Sequence, residues 1–269
     1  MPRTPHSFMT RSGQRGFSLV ELSIAVLIAV FLLGGLVTLV MGTRRTNATQ
    51  GALSQLQDNQ RIAMTLINNI VQKAGYFPNP VTQSLATTFA AETLGGVSMV
   101  AGQALGGTHG VSDTMAVRFF TPPNDSTNGN AVINCAGQSN SVNSFNVSYN
   151  NLFQINTVSG TSWLQCQVRT NNNGTLSAVQ TINLIPNVTN MIVLYGVGTS
   201  AASNDYSILH YLNATQVTAT GNWLNISAVK VTLTFTVPQY GPSGTQLTTP
   251  LTAVFTRVIP VMSRGGVEI

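Results

Sequence analysis

At residues 15–22 the chain reads Arg15-Gly16-Phe17-Ser18-Leu19-Val20-Glu21-Leu22, which sets one carboxylate near the start of an apolar run that continues to Met41. From Leu22 to Met41 there are 20 residues without a charge. At a rise of about 1.5 Å per residue this is enough helix to cross a hydrocarbon core of about 30 Å. An acidic side chain inside a bilayer costs roughly 2.5–3.5 kcal/mol, so Glu21 needs a functional reason and a cationic partner. If the chain is cut between Gly16 and Phe17, the new α-amine of Phe17 lies about one helical turn from Glu21, and a neighbouring copy can offer the same amine.

This motif resembles the leader of type IV pilins and of the related secretion pseudopilins: a basic segment, Gly, Phe, then Ser/Thr-Leu-x-Glu before a long apolar helix. The resemblance implies cleavage after Gly16 by a membrane-embedded prepilin peptidase, which requires that glycine. It also implies methylation of the Phe17 amine by the same enzyme and assembly into a filament through the apolar helix. In such a filament Glu21 would neutralise a Phe17 amine during docking.

A secretory signal peptide is the competing interpretation of this N-terminus, because it also pairs a basic region with an apolar core. The apolar run is too long for it, since a signal core has about 7–15 residues and ends in a small-residue cleavage site. Flanking charge favours a cytoplasmic N-terminus only weakly, with three arginines before the span and two after it. A second possible start at Met9 would leave a leader of eight residues, Met9 to Gly16.

Helical periodicity continues beyond the apolar run. Apolar residues recur at three- and four-residue steps through residues 44–75, opposite a polar face, and Gly75 is followed by Pro78 and Pro80 as a stop signal. We therefore expect one helix over about 17–75. The predicted organisation is a leader at 1–16, a transmembrane and assembly helix at 17–42, an amphipathic helix half packed on a sheet at 43–77, and a β-rich globular domain at 78–269.

Beyond residue 81 the composition becomes rich in Gly, Thr, Ser and Ala through Gly110, which predicts a long loop with a short helix near Ala86–Glu92. Strands are predicted downstream, the last three as an antiparallel meander, and the pattern gives an α+β fold, pilin-like, with a mainly antiparallel sheet. The predicted strands are Thr114–Phe120, Ser144–Ser148, Leu152–Thr157, Trp163–Arg169, Val188–Gly196, Ser207–Leu212, Val229–Val237 and Leu251–Val261.

Several segments resemble one branch of the pilin class, the PilW-like minor pilins. They are residues 52–61 leading to Ala74-Gly75-Tyr76-Phe77, 112–119, 134–137, 164–166 and 187–196. Many relatives carry an Asp-rich loop after the last of these, but here Gly198 to Tyr206 offers only Asp205. Calcium needs six to eight oxygen ligands, often several from carboxylates, so no metal is predicted.

Two cysteines, Cys135 and Cys166, lie beyond the span on the expected extracytoplasmic side, where a disulfide persists. We expect them to be bridged, with buried reduced thiols as the alternative.

Neither an enzyme nor a cofactor is predicted, because only His109 and His210 remain after the leader and no acid/base or metal spacing is recognisable. Removing the leader arginines leaves nine basic residues against seven acidic ones, a charge of +2, so no nucleic-acid binding is predicted.

The sequence thus predicts a minor pilin of a type IV pilus, processed by prepilin peptidase and held in the bacterial inner membrane with a periplasmic globular domain before it joins the pilus at the cell surface. By resemblance it helps prime assembly. Expected partners are other minor pilins, the major pilin, the peptidase and membrane lipid. A type II secretion pseudopilin remains an alternative, and a tip adhesin on a pilin mount is a more distant one.

Overall fold

The computed structural model describes residues 16–77, 81, 84–121, 132–140, 147–172, 174–198, 207–241 and 243–264. The leader before Gly16, the two stop prolines and residues 144–146 and 199–206 of the predicted strands and loop lie outside the described residues. The chain divides into two units, Met1–Thr49 with Tyr240–Gln246, and Gln50–Gln239 with Leu247–Ile269.

The two predicted helices begin and end close to the predicted positions. A third, short helix, whose sequence signal is only a local cap, was not predicted. The long helix α1 ends at Val71, and a turn carries the chain to Gly75, whose φ of +76° is a left-handed conformation that favours glycine. The predicted helix was therefore too long by two residues at its start and four at its end. The helices are α1 (Leu19–Val71), α2 (Leu85–Thr88) and α3 (Ala214–Thr220), with 3-10 turns at Asn222–Asn225 and Met262–Arg264.

The strands form a hairpin, β1-β2, and two antiparallel sheets. The first sheet has the order β3-β4-β5-β6-β7, with β8 also paired to β6, and the second has the order β10-β9-β11-β12. This is the predicted α+β class. The strands are β1 (Glu92–Leu94), β2 (Val97–Met99), β3 (Leu105–Thr108), β4 (Thr114–Thr121), β5 (Val147–Val158), β6 (Thr161–Asn172), β7 (Thr175–Leu176), β8 (Gln180–Pro186), β9 (Val188–Val197), β10 (His210–Leu212), β11 (Ile226–Val237) and β12 (Leu251–Pro260).

Two strand predictions were wrong. The described end of the strand predicted at Ser144–Ser148 and the strand predicted at Leu152–Thr157 both belong to β5, which runs without interruption from Val147 to Val158. The predicted meander of the last three strands fails because β9 lies between β10 and β11, pairing with both. Only the final pair, β11 with β12, is adjacent as predicted.

The C-terminal part of α1 supplies the helical side of the core. Its buried residues Ala63, Met64, Ile67, Ile70 and Val71 join one apolar cluster with side chains from both sheets. Fully burying a large apolar side chain stabilises by about 1.5–3 kcal/mol. The amphipathic helix half packed on a sheet, predicted from the three- and four-residue spacing, is thus present.

The segment before Gly110, predicted as a long loop with one short helix, contains that helix as α2, but it also contains the unpredicted strands β1 to β3. Arg118 on β4 holds this segment in place, because its guanidinium donates to the carbonyl oxygens of Ala90, Val100 and Gln103 and lies 5.3 Å from the centre of the Phe89 ring. Burial lowers the pKa of Arg118 to about 10, and the nearby carboxylate of Glu92 opposes that shift. Short strands of two to four residues gave too little alternation to be found in the sequence.

A disulfide joins Cys135 to Cys166 on β6, with their Cα atoms 6.1 Å apart. The buried side chain of Asn151 supports this link, since its carbonyl oxygen accepts from the Cys135 N–H at 2.9 Å and its amide donates to Val117. Residues 132–140 are therefore held against the sheet by a covalent bond and by a buried amide.

Gly107 on β3 should not tolerate a side chain. A Cβ there would overlap the hydroxyl of the buried Tyr195 and approach the Thr114 carbonyl oxygen to 2.5 Å, and backbone atoms cannot yield. We expect Gly107→Ala to lower the free energy of unfolding by about 1–3 kcal/mol, measured by urea denaturation of the full chain in detergent. The control is Gly110→Ala, whose Cβ would meet only ordinary contact at 3.5 Å. Equal stability of the two variants would contradict this packing.

Reducing the disulfide should also destabilise the globular domain. Its sequence separation of 31 residues predicts a loss of about 3.5 kcal/mol, because the open chain regains loop entropy when unfolded. The paired replacement Cys135→Ser with Cys166→Ser should therefore unfold at lower urea concentration. Wild-type protein under reducing conditions should match the double variant, and a reductant effect on the double variant itself would indicate another cause.

Candidate assembly segment

The peptide bond between Gly16 and Phe17 lies just outside the first turn of α1. The helix begins at Leu19, and its first hydrogen bond runs from the Leu22 N–H to the Ser18 carbonyl at 3.1 Å. Phe17 is 84% exposed, and a Cβ added at Gly16 would meet no atom within 4 Å. The bond is accessible and not locked in helical hydrogen bonds, as a cleavage site must be.

Glu21 occupies the first turn of α1, where the positive end of the helix dipole favours a carboxylate. Ser18 and Glu21 also have the Ser-x-x-Glu spacing of a capping box, a helix-start signal that the sequence analysis did not use. Among the described residues, which exclude Arg15, no cation forms an ion pair with Glu21. The carboxylate is thus placed at the helix start and is open to an incoming amine.

The apolar run that follows is exposed to solvent along its whole length. Of the described helices, α1 alone is long and apolar enough to cross a membrane, and no residue of its most apolar 18-residue window is buried. A shallow apolar groove lies on its first turns, lined by Leu19, Leu22, Ser23, Val26, Leu27, Val30 and Phe31. No described residue buries this surface, which is therefore suited to contact with lipid or with other protein.

The hydroxyl groups within and just after this apolar run are hydrogen-bonded to the backbone of α1 itself. Ser23 donates to the Val20 carbonyl at 2.8 Å, Thr38 to Gly35 at 2.7 Å and Thr43 to Leu39 at 2.9 Å. Internal satisfaction is what an apolar surrounding demands of a polar group. The helix can therefore pass between lipid and a protein interface without leaving these hydroxyls unpaired.

Gly34 and Gly35 have free space where their side chains would be, with no atom within 4 Å of an added Cβ. Nothing in the described chain requires glycine at these positions. Small residues on an exposed apolar helix allow another helix to approach closely. The pair is thus suited to helix packing, although simple tolerance of glycine in such a helix accounts for it equally well.

The polar groups of the globular unit are arranged for structure. His109 Nδ1 lies 2.8 Å from Asp113 Oδ1, but the buried carboxylate also accepts from the backbone N–H groups of Gly110 and Val193. It thereby fastens the loop before β4 to β9. His210 lies on the exposed strand β10, and no group of three or more His, Cys, Asp or Glu side chains in the described residues could hold a metal.

The chain matches two descriptions of known families. The model for the "Prokaryotic N-terminal methylation motif" matches residues 11–37, and the model for "Type IV Pilus-assembly protein W" matches residues 152–260. The chain is therefore similar to type IV prepilins, and its globular part is similar to the PilW-like branch. The two matches support a minor pilin of a type IV pilus, which is the function that the sequence predicted.

The matched ranges include some of the segments on which the resemblance rested and leave out others. Residues 164–166 and 187–196 fall within the PilW match, whereas 52–77, 112–119 and 134–137 precede it. No curated protein sequence matches the chain. Among solved structures, the type IV-like pilin TTHA1219 from Thermus thermophilus is similar at 12% identity and a TM-score of 0.39, covering 77% of this chain and 96% of that one.

Proposed function

We propose that prepilin peptidase cleaves this chain after Gly16 and methylates the new amine of Phe17, and that residues 17–42 then anchor it in the inner membrane with the globular domain in the periplasm. The observation that carries the proposal is the accessible Gly16–Phe17 bond directly before an exposed apolar helix with one carboxylate in its first turn. The methylation-motif match over residues 11–37 supports it.

Assembly then depends on covering the apolar helix with neighbouring helices. Hydrophobic and dispersion contacts supply cohesion but discriminate poorly between registers, because they are non-directional. A charge left unpaired in an apolar environment is strongly unfavourable, so a contact between Glu21 and a Phe17 amine penalises packing in a wrong register. Glu21 thus acts as a positioning residue for the incoming subunit.

The partners in this proposal are other minor pilins and the major pilin, with which the chain primes filament assembly. Its chemistry is limited to being a substrate of the peptidase and a building block of the fibre. The PilW match in the globular unit favours a pilus over a secretion pseudopilus.

Gly16→Leu should block processing, because a bulky side chain next to the cleaved bond prevents it from entering a site shaped for glycine. Gly16→Ala is the control and should be processed at least in part. Intact mass of the membrane-extracted protein measures the result, in cells with and without prepilin peptidase. Wild type should begin at Phe17 with one added methyl group only when the peptidase is present. A mature mass in peptidase-free cells, or normal processing of Gly16→Leu, would refute the cleavage proposal.

Glu21→Gln should be processed normally but enter pili poorly. The amide keeps the size of the side chain and removes the charge that pairs with the amine, so we expect the amount in sheared pili to fall about tenfold, equivalent to about 1.4 kcal/mol. Glu21→Asp keeps the charge and should lose less. Quantitative immunoblotting of pilus and membrane fractions separates the outcomes, and wild-type incorporation of Glu21→Gln would remove the register role.

A further inference from the structure

Within the part of the chain that the structure describes, strand β12 is a long free edge of the second sheet. It pairs with β11 over all ten residues, and no other described residue hydrogen-bonds to its outer side. Leu251, Val254 and Val258 on this strand are 57%, 60% and 48% exposed. An edge of this kind presents a row of unpaired backbone donors and acceptors beside an apolar surface.

The register tells which backbone groups face outward. The Val261 N–H donates to the Ser227 carbonyl at 2.9 Å and so continues the β11-β12 ladder. Because hydrogen-bonded pairs alternate in an antiparallel ladder, the odd-numbered residues of β12 turn their backbone groups toward β11. Thr252, Val254, Thr256 and Val258 therefore direct theirs to the outside.

The other sheet edges in the described parts of the chain are short, irregular or covered. Strands β3, β7 and β10 have four, two and three residues, and the pairing of β8 with β6 contains a register shift. The side of β9 that faces away from β11 is hydrogen-bonded by Ser112 and Asp113. In contrast, β12 has no register shift, and its one charged residue is Arg257.

Charge indicates what can occupy this edge. Strands β11 and β12 carry two cations, Lys230 and Arg257, and no carboxylate. Arg257 lines a groove of about 470 Å³ with Asp58 and Arg61 of α1. Asp58 and Arg61 pair with each other at 3.4 Å, so the positive charge of Arg257 is the excess charge of this groove. A second copy of β12 would add cations, whereas a strand that carries a carboxylate complements them.

We propose that β12 binds an extended, acidic strand of a different pilus subunit by strand addition, with backbone hydrogen bonds from Thr252, Val254, Thr256 and Val258. The proposal rests on the function proposed above, because it gives the filament subunits a second contact, between globular domains. Backbone pairing supplies the affinity, and Val254, Val258 and Arg257 select the partner's side chains.

The test removes one outward N–H without touching the ladder to β11. Thr256→Pro does this, since proline is tolerated at edge positions whose N–H faces solvent. Thr256→Ala is the control, because both variants lose the hydroxyl contact with Thr232 but only the alanine keeps the backbone N–H. A photoreactive side chain at Val254, in the full chain in its own membranes, reports the occupant. The same probe at the exposed Val179, in the segment just before β8, is the control site.

We expect cross-links from position 254 to an extended peptide of another subunit with a prepilin leader, in wild type and Thr256→Ala, falling at least about tenfold in Thr256→Pro while the disulfide and protease resistance are unchanged. Undiminished cross-linking of Thr256→Pro, cross-links to a second copy of this chain, or none to any pilin would overturn the proposal. Intact mass is read in parallel, so that failure of cleavage at Gly16, which tests the proposed function, is told apart from failure at the edge.

Discussion

The structure depends on an apolar helix that cannot cover itself. Residues 19–41 of α1 expose nearly every large side chain that they carry, and nothing else in the described chain shields them. Burying such a surface is the dominant favourable contribution in most association, and it has no direction. The lone carboxylate of Glu21 provides the direction that the apolar surface lacks, because a helix arrangement that pairs this charge is far more favourable than one that leaves it unpaired.

The globular unit has a different requirement. In a chain with few charges, its polar backbone and side-chain groups must be hydrogen-bonded. Buried Asp113, Asn151 and Arg118 each bond to backbone groups of a different segment, fastening loops that have little apolar surface of their own. The bonds of Asp113 and Arg118 are charge-assisted, and such bonds are stronger than neutral ones. A few polar residues thus hold the sheets, residues 132–140 and the β1-β2 hairpin in one arrangement.

Sequence reasoning succeeded where the signal is long or local and failed where it is set by distant contacts. The helix of α1 followed from its 3.6-residue period, and long strands such as β4, β9 and β11 followed from alternation. Strand β9 pairs with both β10 and β11, whereas adjacency in sequence predicts that β10 pairs directly with β11. Adjacency in sequence thus gave the wrong pairing. Helix α3 was missed although Asn213 and Gln216 form a capping box, because seven residues with two buried ones give no period. The cleavage motif was readable from residues alone, but the open edge of β12 needed the register.

The two ends of the globular unit are tied to each other. The Met262 N–H donates to the Gln72 carbonyl at 3.2 Å, and the Ser263 hydroxyl donates to Ala74 just after α1. The ribosome makes α1 well before these partners, so the contacts at the C-terminal end of α1 cannot form until residues 262 and 263 have been synthesised. Contacts between residues so distant in sequence also slow folding, since a long loop has to close first. Completion of the C-terminal end of α1 therefore depends on the short segment that follows β12.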